Sequence, residues 1–341
     1  MKKRASISTI VIGVLILSAL WGLPGCSDES SPGDDGQASR PGGSERRFLS
    51  VGTAPPGGAF FVVGSAIAEV VGSYPPADRW QITAEATKGT QENVRRLDKG
   101  ELEFALANAA ITFFAVRGQA KWEKEFLVRS VMTLAPNIAL FITPRSSGIE
   151  SIADLKGKRV VVGPAGAGFE HFVGPILEAH GVTYDDFSPL YDTQTGAVAL
   201  LSDGSADAAF LGGAVPTASI TQACATRDIH FIPFHEDAMD RLIEQYSFFD
   251  RRTIPAGTYK GQVDAFDGLN VGSMILVSSA QVDEETVYLF TKTLFEHGAD
   301  VAAKHPAGKA INPQNAIRDT GTPFHPGAIR YYREKGLWPH E

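Results

Sequence analysis

The sequence predicts an α/β protein of two lobes, each a mostly parallel sheet flanked by helices, the lobes joined by two crossing strands. Three observations carry that expectation. Short apolar or β-branched runs alternate with helix-length segments, as parallel sheets covered by helices require. Four of those runs end in glycine or small-residue loops, after Thr53, Thr87, Val162 and Leu211. Two nearly continuous apolar stretches, 128–143 and 271–277, have the length to cross from one lobe to the other and back.

Ahead of the fold, residues 1–26 read as a targeting segment. Lys2, Lys3 and Arg4 form a positive start, and 7–20 is an apolar run too short to span a membrane comfortably. Leu23-Pro24-Gly25-Cys26 resembles a lipobox, which makes Cys26 the expected lipidation site and places the chain outside the cytoplasm, anchored to a membrane. Residues 27–47 contain no large apolar side chain and are expected to be a disordered tether, reaching roughly 25 Å as a coil. The formal charge of −8 falls to near −11 without the three leading cations, which argues against nucleic acid as a partner. With Cys26 lipidated, Cys224 has no partner and reads as a small buried residue.

The elements follow in order. Residues 48–53 form a strand, and 60–71 a helix whose Gly64, Ser65, Ala66 and Ala68 permit close packing on a sheet. Residues 81–87 alternate as a strand, with Thr90 as a plausible N-cap for a helix at 91–99. A short strand, 104–108, leads into a helix from about Ile111. Beyond the first crossing, Val160, Val161 and Val162 read as a buried parallel strand. They feed the loop Gly163-Pro164-Ala165-Gly166-Ala167-Gly168 at the start of a helix over 169–180. A helix at 196–201, a strand at 207–211, the turn Gly212-Gly213, a helix from Thr217 and a strand at 229–234 complete the second lobe. Asp283 caps a helix expected over 284–303, and the chain ends in a short helix. Lobe I is thus 48–138 with 276–341, and lobe II is 139–275.

Ligands in open parallel sheets sit outside the carboxyl ends of strands, so two sets of glycine loops describe a cleft with a hinge. A strand feeding a glycine loop at a helix start leaves backbone N–H groups pointing one way, a ready anion site. No nucleophile elbow, zinc-protease helix, paired cysteine motif or Walker sequence is present, and the eight histidines are scattered. His235-Glu236-Asp237 reads as a solvated loop, and His325, between Pro323 and Pro326, as a cap or packing residue. The expectation is a binding protein rather than an enzyme, with no cofactor and no metal.

Several segments in order resemble one family. They are Val51-Gly52-Thr53 with Gly58-Ala59-Phe60-Phe61, and Ala86-Thr87-Lys88-Gly89-Thr90-Gln91-Glu92-Asn93. They continue with Asp154-Leu155-Lys156-Gly157-Lys158-Arg159-Val160, Asp203-Gly204 with Asp207-Ala208, Ile254-Pro255 with Tyr259, and His325-Pro326-Gly327-Ala328 with Tyr331-Tyr332. Across about 48–338 the chain resembles the substrate-binding subunits of TRAP transporters, of the TAXI type. The resemblance implies a two-lobed periplasmic binding protein of type II, a monomer that closes on its ligand and delivers it to sodium-coupled TRAP membrane subunits. Ligands in that family are mostly small carboxylates such as glutamate. On this basis the expected ligand-binding residues are Thr53, Ala59, Phe60, Phe61, Thr87, Gly89, Thr90, Asn93, Asn108, Gly166, Ala167, Gly168, Phe169, Gly212 and Gly213.

The chain departs from the family pattern at Ala59, Phe60, Phe61, Ala167 and Phe169, where hydroxyls are usual, and at Asn108 and Ala110, where Gln and Asp are usual. Losing four hydrogen bonds of about 0.5–1.5 kcal/mol each disfavours glutamate. The expectation becomes a less polar or bulkier organic acid, its carboxylate on the amides of 167–169 and Phe60, Phe61 and Phe169 as apolar walls. Glu170 and Glu85 leave open a ligand with an amine. Two other classes remain: a binding protein of an ABC-type importer for a small anion, and a sensory or scaffolding lipoprotein without transport.

Overall fold

Valine-rich runs make strands here because their branched side chains fit a pleated, buried surface. A computed structural model describes residues 47–56, 58–75 and 80–339. The targeting segment, Cys26 and the tether up to residue 46 lie outside them. In chain order the first elements are β1 (Arg47–Gly52), α1 (Ala59–Ser73), β2 (Trp80–Glu85), α2 (Thr90–Asp98), β3 (Phe104–Asn108), α3 (Ala109–Ala115) and β4 (Val128–Thr133). Next come β5 (Ile138–Pro144), β6 (Arg159–Val161), α4 (Glu170–Ala179), β7 (Ser188–Leu190), α5 (Gln194–Asp203) and β8 (Ala208–Gly213). The chain continues through α6 (Ala218–Thr226), β9 (Ile229–Ile232), α7 (Glu236–Gln245), β10 (Phe249–Ile254) and β11 (Phe266–Val271). It then returns with β12 (Met274–Ser279), α8 (Glu284–Glu296), α9 (Gly298–Lys304), α10 (Pro313–Ala316) and α11 (Pro326–Glu334).

The strands form two sheets, in the orders β2-β1-β3-β12-β4 and β10-β11-β5-β8-β6-β7, with β9 beside β5. This is the two-lobed, type II binding-protein architecture. Each sheet is mixed. β1 runs parallel to β2 and β3, and β6 parallel to β7 and β8. The strands entering or leaving through the crossings, β4, β5, β11 and β12, pair antiparallel. The register sets Gly52 opposite both Glu85 and Ala105, so β1 and β2 end level while β3 runs on to Asn108.

The crossings lie at 134–137 and 272–273 and are bonded to each other. Leu134 N–H donates to the Met274 carbonyl at 2.8 Å, Met274 N–H to Ala135 and Val271 N–H to Asn137, both at 2.9 Å. Each lobe keeps its own aromatic centre. In lobe I, Phe104 stacks on Phe290 at 4.0 Å, and the Tyr332 hydroxyl donates to the Val131 carbonyl. In lobe II, Phe210 sits 4.8 Å from Phe141 and 5.9 Å from Phe172.

Some expectations need correction. The helix expected over 284–303 breaks at His297 into α8 and α9. His235-Glu236-Asp237 is not a solvated loop but the N-cap and first turn of α7, where the helix dipole favours the two carboxylates. Thr90 is not an N-cap: Gly89 holds that place, and the Thr90 hydroxyl instead accepts from Asn108 N–H at 3.0 Å. His325 does cap α11, accepting from Gly327 N–H, and Asp283 caps α8, accepting from Thr286 N–H. Cys224 is buried, as expected.

Candidate functional site

The site is built where the parallel strands end. In lobe I the polar side chains there are engaged with neighbouring backbone. The Thr53 hydroxyl donates to the Glu85 carbonyl at 2.7 Å, and the Thr87 hydroxyl donates to the Thr53 carbonyl at 3.0 Å while accepting from Gly89 N–H. Asn93 donates through Nδ2 to the Thr53 and Leu106 carbonyls, each at 2.8 Å. Asn108 uses all four positions of its amide. Its Oδ1 accepts from Ala110 and Ile111 N–H, and its Nδ2 donates to the Val271 and Gly272 carbonyls in the second crossing. Thr53, Thr87, Thr90, Asn93 and Asn108 are all buried. They bind the ends of β1, β2 and β3 together and tie β3 to the hinge. Their side chains are therefore fasteners, which the residue types alone do not distinguish from ligand donors. Glu85 is likewise taken, by Arg96 at 2.6 Å, and its carboxyl lies below the usual carboxylate range through its hydrogen bonds to Ser50 and Arg96 and the Arg96 charge.

What lobe I leaves open is backbone. The N-caps of α1 and α2 are Gly58 and Gly89, and neither helix start has a side-chain cap. Ala59, Phe60 and Thr90 thus begin helices whose first N–H groups meet no capping side chain. Ala59 and Phe60 rest against the lobe I core together with Ala214, which arrives from the end of β8 in lobe II. Phe61, one residue on, is half-buried.

Lobe II contributes the loop 163–169 and the start of α4, whose N-cap, Phe169, also lacks a side-chain cap. The Phe169 ring covers Gly163, leaving no room there for a Cβ, and lies 5.0 Å from Phe172. Gly166 and Gly168 have φ of +74° and +92°, and Ala167 N–H closes the turn on the Pro164 carbonyl at 3.2 Å. A Cβ on Gly168 would stand 2.9 Å from both Gln91 and Ile111 of lobe I. Gln91 also donates to the Glu170 carboxylate at 3.2 Å. The N-termini of α2 and α4 therefore meet across the lobe boundary. Gly212 and Gly213 lie apart in character: Gly212 exchanges two hydrogen bonds with the Gln194 side chain, which also accepts from Ser219. Gln194 carries no sequence signal beyond its place in the first turn of α5.

Two surface depressions lie elsewhere. One of about 710 Å³ sits between α4 and α7 and is lined by His180, Phe234, His235 and Arg241; one of about 320 Å³ lies against α11. Neither includes a strand-end residue of the cleft, so the meeting of α2 and α4 defines the candidate site.

With this geometry in view, comparison with known proteins assigns the family. The NMT1-like family matches residues 51–336. The chain belongs to the NMT1-like family. This overturns the resemblance to TAXI-type TRAP receptors: the segments that carried it are in part packing devices, since Gly327 seats α11 against the Glu284 carbonyl and Tyr331 and Tyr332 fill the lobe I core. Solved structures agree on the fold. A binding protein component of an ABC phosphonate transporter from Pseudomonas aeruginosa has a TM-score of 0.51 at 10% identity, over 86% of this chain and 96% of its own. The protein XAC2383 from Xanthomonas citri, bound to ATP, has 0.50 at 11%, over 85% and 96%. The protein CAE31940 from Bordetella bronchiseptica RB50 has 0.51 at 13%, over 85% and 89%.

Proposed function

We propose that this NMT1-like protein is an extracytoplasmic solute receptor that closes on a small organic anion and hands it to an ABC-type importer. The observation that carries this reading is the meeting of α2 and α4 at Gly168 and Gln91, which brings two uncapped helix starts from different lobes to one place. Helix N-termini favour an anion through their free N–H groups and the dipole. The ABC-type partner is favoured by the fold shared with the phosphonate-transporter component.

In this reading lobe I is 48–138 with 276–341, and lobe II is 139–275. The anionic group is held by the amides of Gly166, Gly168 and Phe169 and by those of Ala59, Phe60 and Thr90, while Ala167, its N–H spent on the Pro164 carbonyl, fixes the turn that presents them. Thr53, Thr87, Gly89, Asn93 and Asn108 hold the lobe I loops in shape, Phe61 lines the apolar side, and Gly212 and Gly213 border the lobe II wall. With backbone donors doing the recognition and no nucleophile paired to a base, the protein binds its solute rather than converting it. Lipid on Cys26 keeps the receptor at the membrane.

Thermal shift on the purified protein tests this directly, with methylphosphonate, small alkanesulfonates and small carboxylates as the panel. A solute at a hundred times its Kd adds about 2.7 kcal/mol of stability. Absence of a shift with every member of the panel would overturn the reading.

A further inference from the structure

Beside the strand-end loops, the lobes touch at a second place that holds two unpaired polar groups. Trp122, between α3 and β4, and His171, in the first turn of α4, have ring centroids 5.8 Å apart. They are 6% and 3% exposed. Phe114 stands 5.9 Å from His171, and Phe126 4.9 Å from Trp122, so the surroundings are apolar. His171 Nδ1 lies 3.0 Å from the Gly168 carbonyl oxygen, which only accepts; Nδ1 therefore carries the proton, and Nε2 presents a lone pair. Trp122 Nε1 is a donor and nothing else. Neither Nε2 nor Nε1 has a hydrogen-bond partner. Buried polar groups left unpaired are costly, and these two are complementary.

We infer that Trp122 and His171 form an interlobe latch, in which the indole N–H donates to one buried water that in turn donates to the imidazole Nε2 in the closed arrangement. The inference rests on the solute-receptor reading, since only lobes that open and close need a latch. Both are positioning residues: they hold the helix start that carries Gly168 against lobe I.

The latch is sensitive to acid. A proton on Nε2 turns the acceptor into a second donor facing the indole. The charged groups around His171 are Glu170 on its own helix, Lys121 beside Trp122, and Arg95 on α2, whose guanidinium lies 4.8 Å over the Trp122 ring. α3 presents Phe114, with the Tyr246 ring 5.7 Å beyond it, and α7 sends Arg241 to the Ala179 carbonyl at the far end of α4. Burial dominates and holds His171 below its ordinary range, against the Gly168 hydrogen bond and Glu170. Opening hydrates the ring and restores a pKa near about 6.5. The closed arrangement therefore binds fewer protons than the open one. Closure is at full strength above about pH 6.5 and weakens as pH falls below it, by up to about tenfold per pH unit.

Small-angle X-ray scattering of the purified protein from pH 8 to pH 5, with no solute added, reads the opening as a rise in radius of gyration. Nitrogen-15 NMR of the Trp122 indole N–H follows the same transition. His171→Gln, whose amide oxygen accepts at any pH, is expected to give a radius independent of pH. Trp122→Phe keeps the packing and removes the donor, and is expected to be more open than wild type at pH 8. A His171→Gln profile identical to wild type, a wild-type radius that ignores pH, or a Trp122→Phe variant as closed as wild type would each overturn the latch. Failure of the receptor reading shows separately, as the absence of any thermal shift across the solute panel at pH 8.

Discussion

The strand ends of the two lobes solve the same problem by opposite means. In lobe I, Thr53, Thr87, Thr90, Asn93 and Asn108 spend their polar groups on neighbouring backbone and fix the loops after β1, β2 and β3. In lobe II, the loop after β6 has no such side chains and gets its shape from Gly163, Gly166 and Gly168 at positive φ, with the Phe169 ring as ballast. One wall is rigid because it is cross-linked. The other is shaped by what its backbone permits, with the Ala167 amide alone spent on closing the turn over 164–167. Polar residue types near a cleft therefore do not by themselves identify the groups that touch a solute.

Substitutions can break this contrast from either side. The largest effect is expected from Asn108→Ala, which removes the cap of α3 and leaves the Val271 and Gly272 carbonyls unpaired at the hinge. A loss of about 3 kcal/mol in urea unfolding is expected; a change below about 1 kcal/mol would show that Asn108 is not a fastener. Gly163→Ala comes next, because its Cβ meets the Phe169 ring and its φ is +99°. It should cost about 2 kcal/mol from strain and displacement, with fluorescence of bis-ANS reporting the exposed ring. Gly168→Ala should cost only about 1–2 kcal/mol of stability. It props Gln91 and Ile111 away, so solute affinity should fall about tenfold or more for each 1.4 kcal/mol of closure lost. Calorimetry showing unchanged affinity would argue that α2 and α4 do not meet around the solute. Gln91→Ala is the mildest: one half-exposed hydrogen bond to Glu170 is lost, worth about 0.5–1.5 kcal/mol at most, and unfolding should barely respond while affinity changes a few-fold.

Much of the architecture is visible in the residues. The run Val160–Val162, the glycine loop after it and the helix at 169–180 appear as β6, the turn and α4 because β-branched runs and positive-φ glycine have few other uses. The hairpin of β10 and β11 is not visible in this way. Phe249-Asp250-Arg251-Arg252-Thr253-Ile254 looks like a polar loop until Thr253 and Arg251 are seen to meet Asp267 on the opposite strand. The same limit hides the lobe I fasteners. Thr53, Thr87 and Asn93 are far apart in sequence, and only the side-by-side pairing of β1 with β2 and β3 brings the Thr87 and Asn93 donors to a common carbonyl, that of Thr53. Nor does any local pattern join Trp122 to His171, which lie on different lobes and meet only through the packing of α4 beside α3.

The return strand has one more consequence. β12 lies between β3 and β4 in the first sheet, yet it is made after every strand of the second sheet. As the chain emerges N-terminus first, the second sheet can be assembled from one continuous stretch, whereas the first must wait with a gap between β3 and β4 until residues 274–279 emerge, and until α11 supplies Tyr331 and Tyr332 to fill its centre. Domains tend to fold as units during synthesis, and here the order of synthesis and the order of completion are reversed. The earliest-made strands are the last to be secured, so a released fragment ending at Ser273 would carry a protease-resistant second lobe beside an open first one.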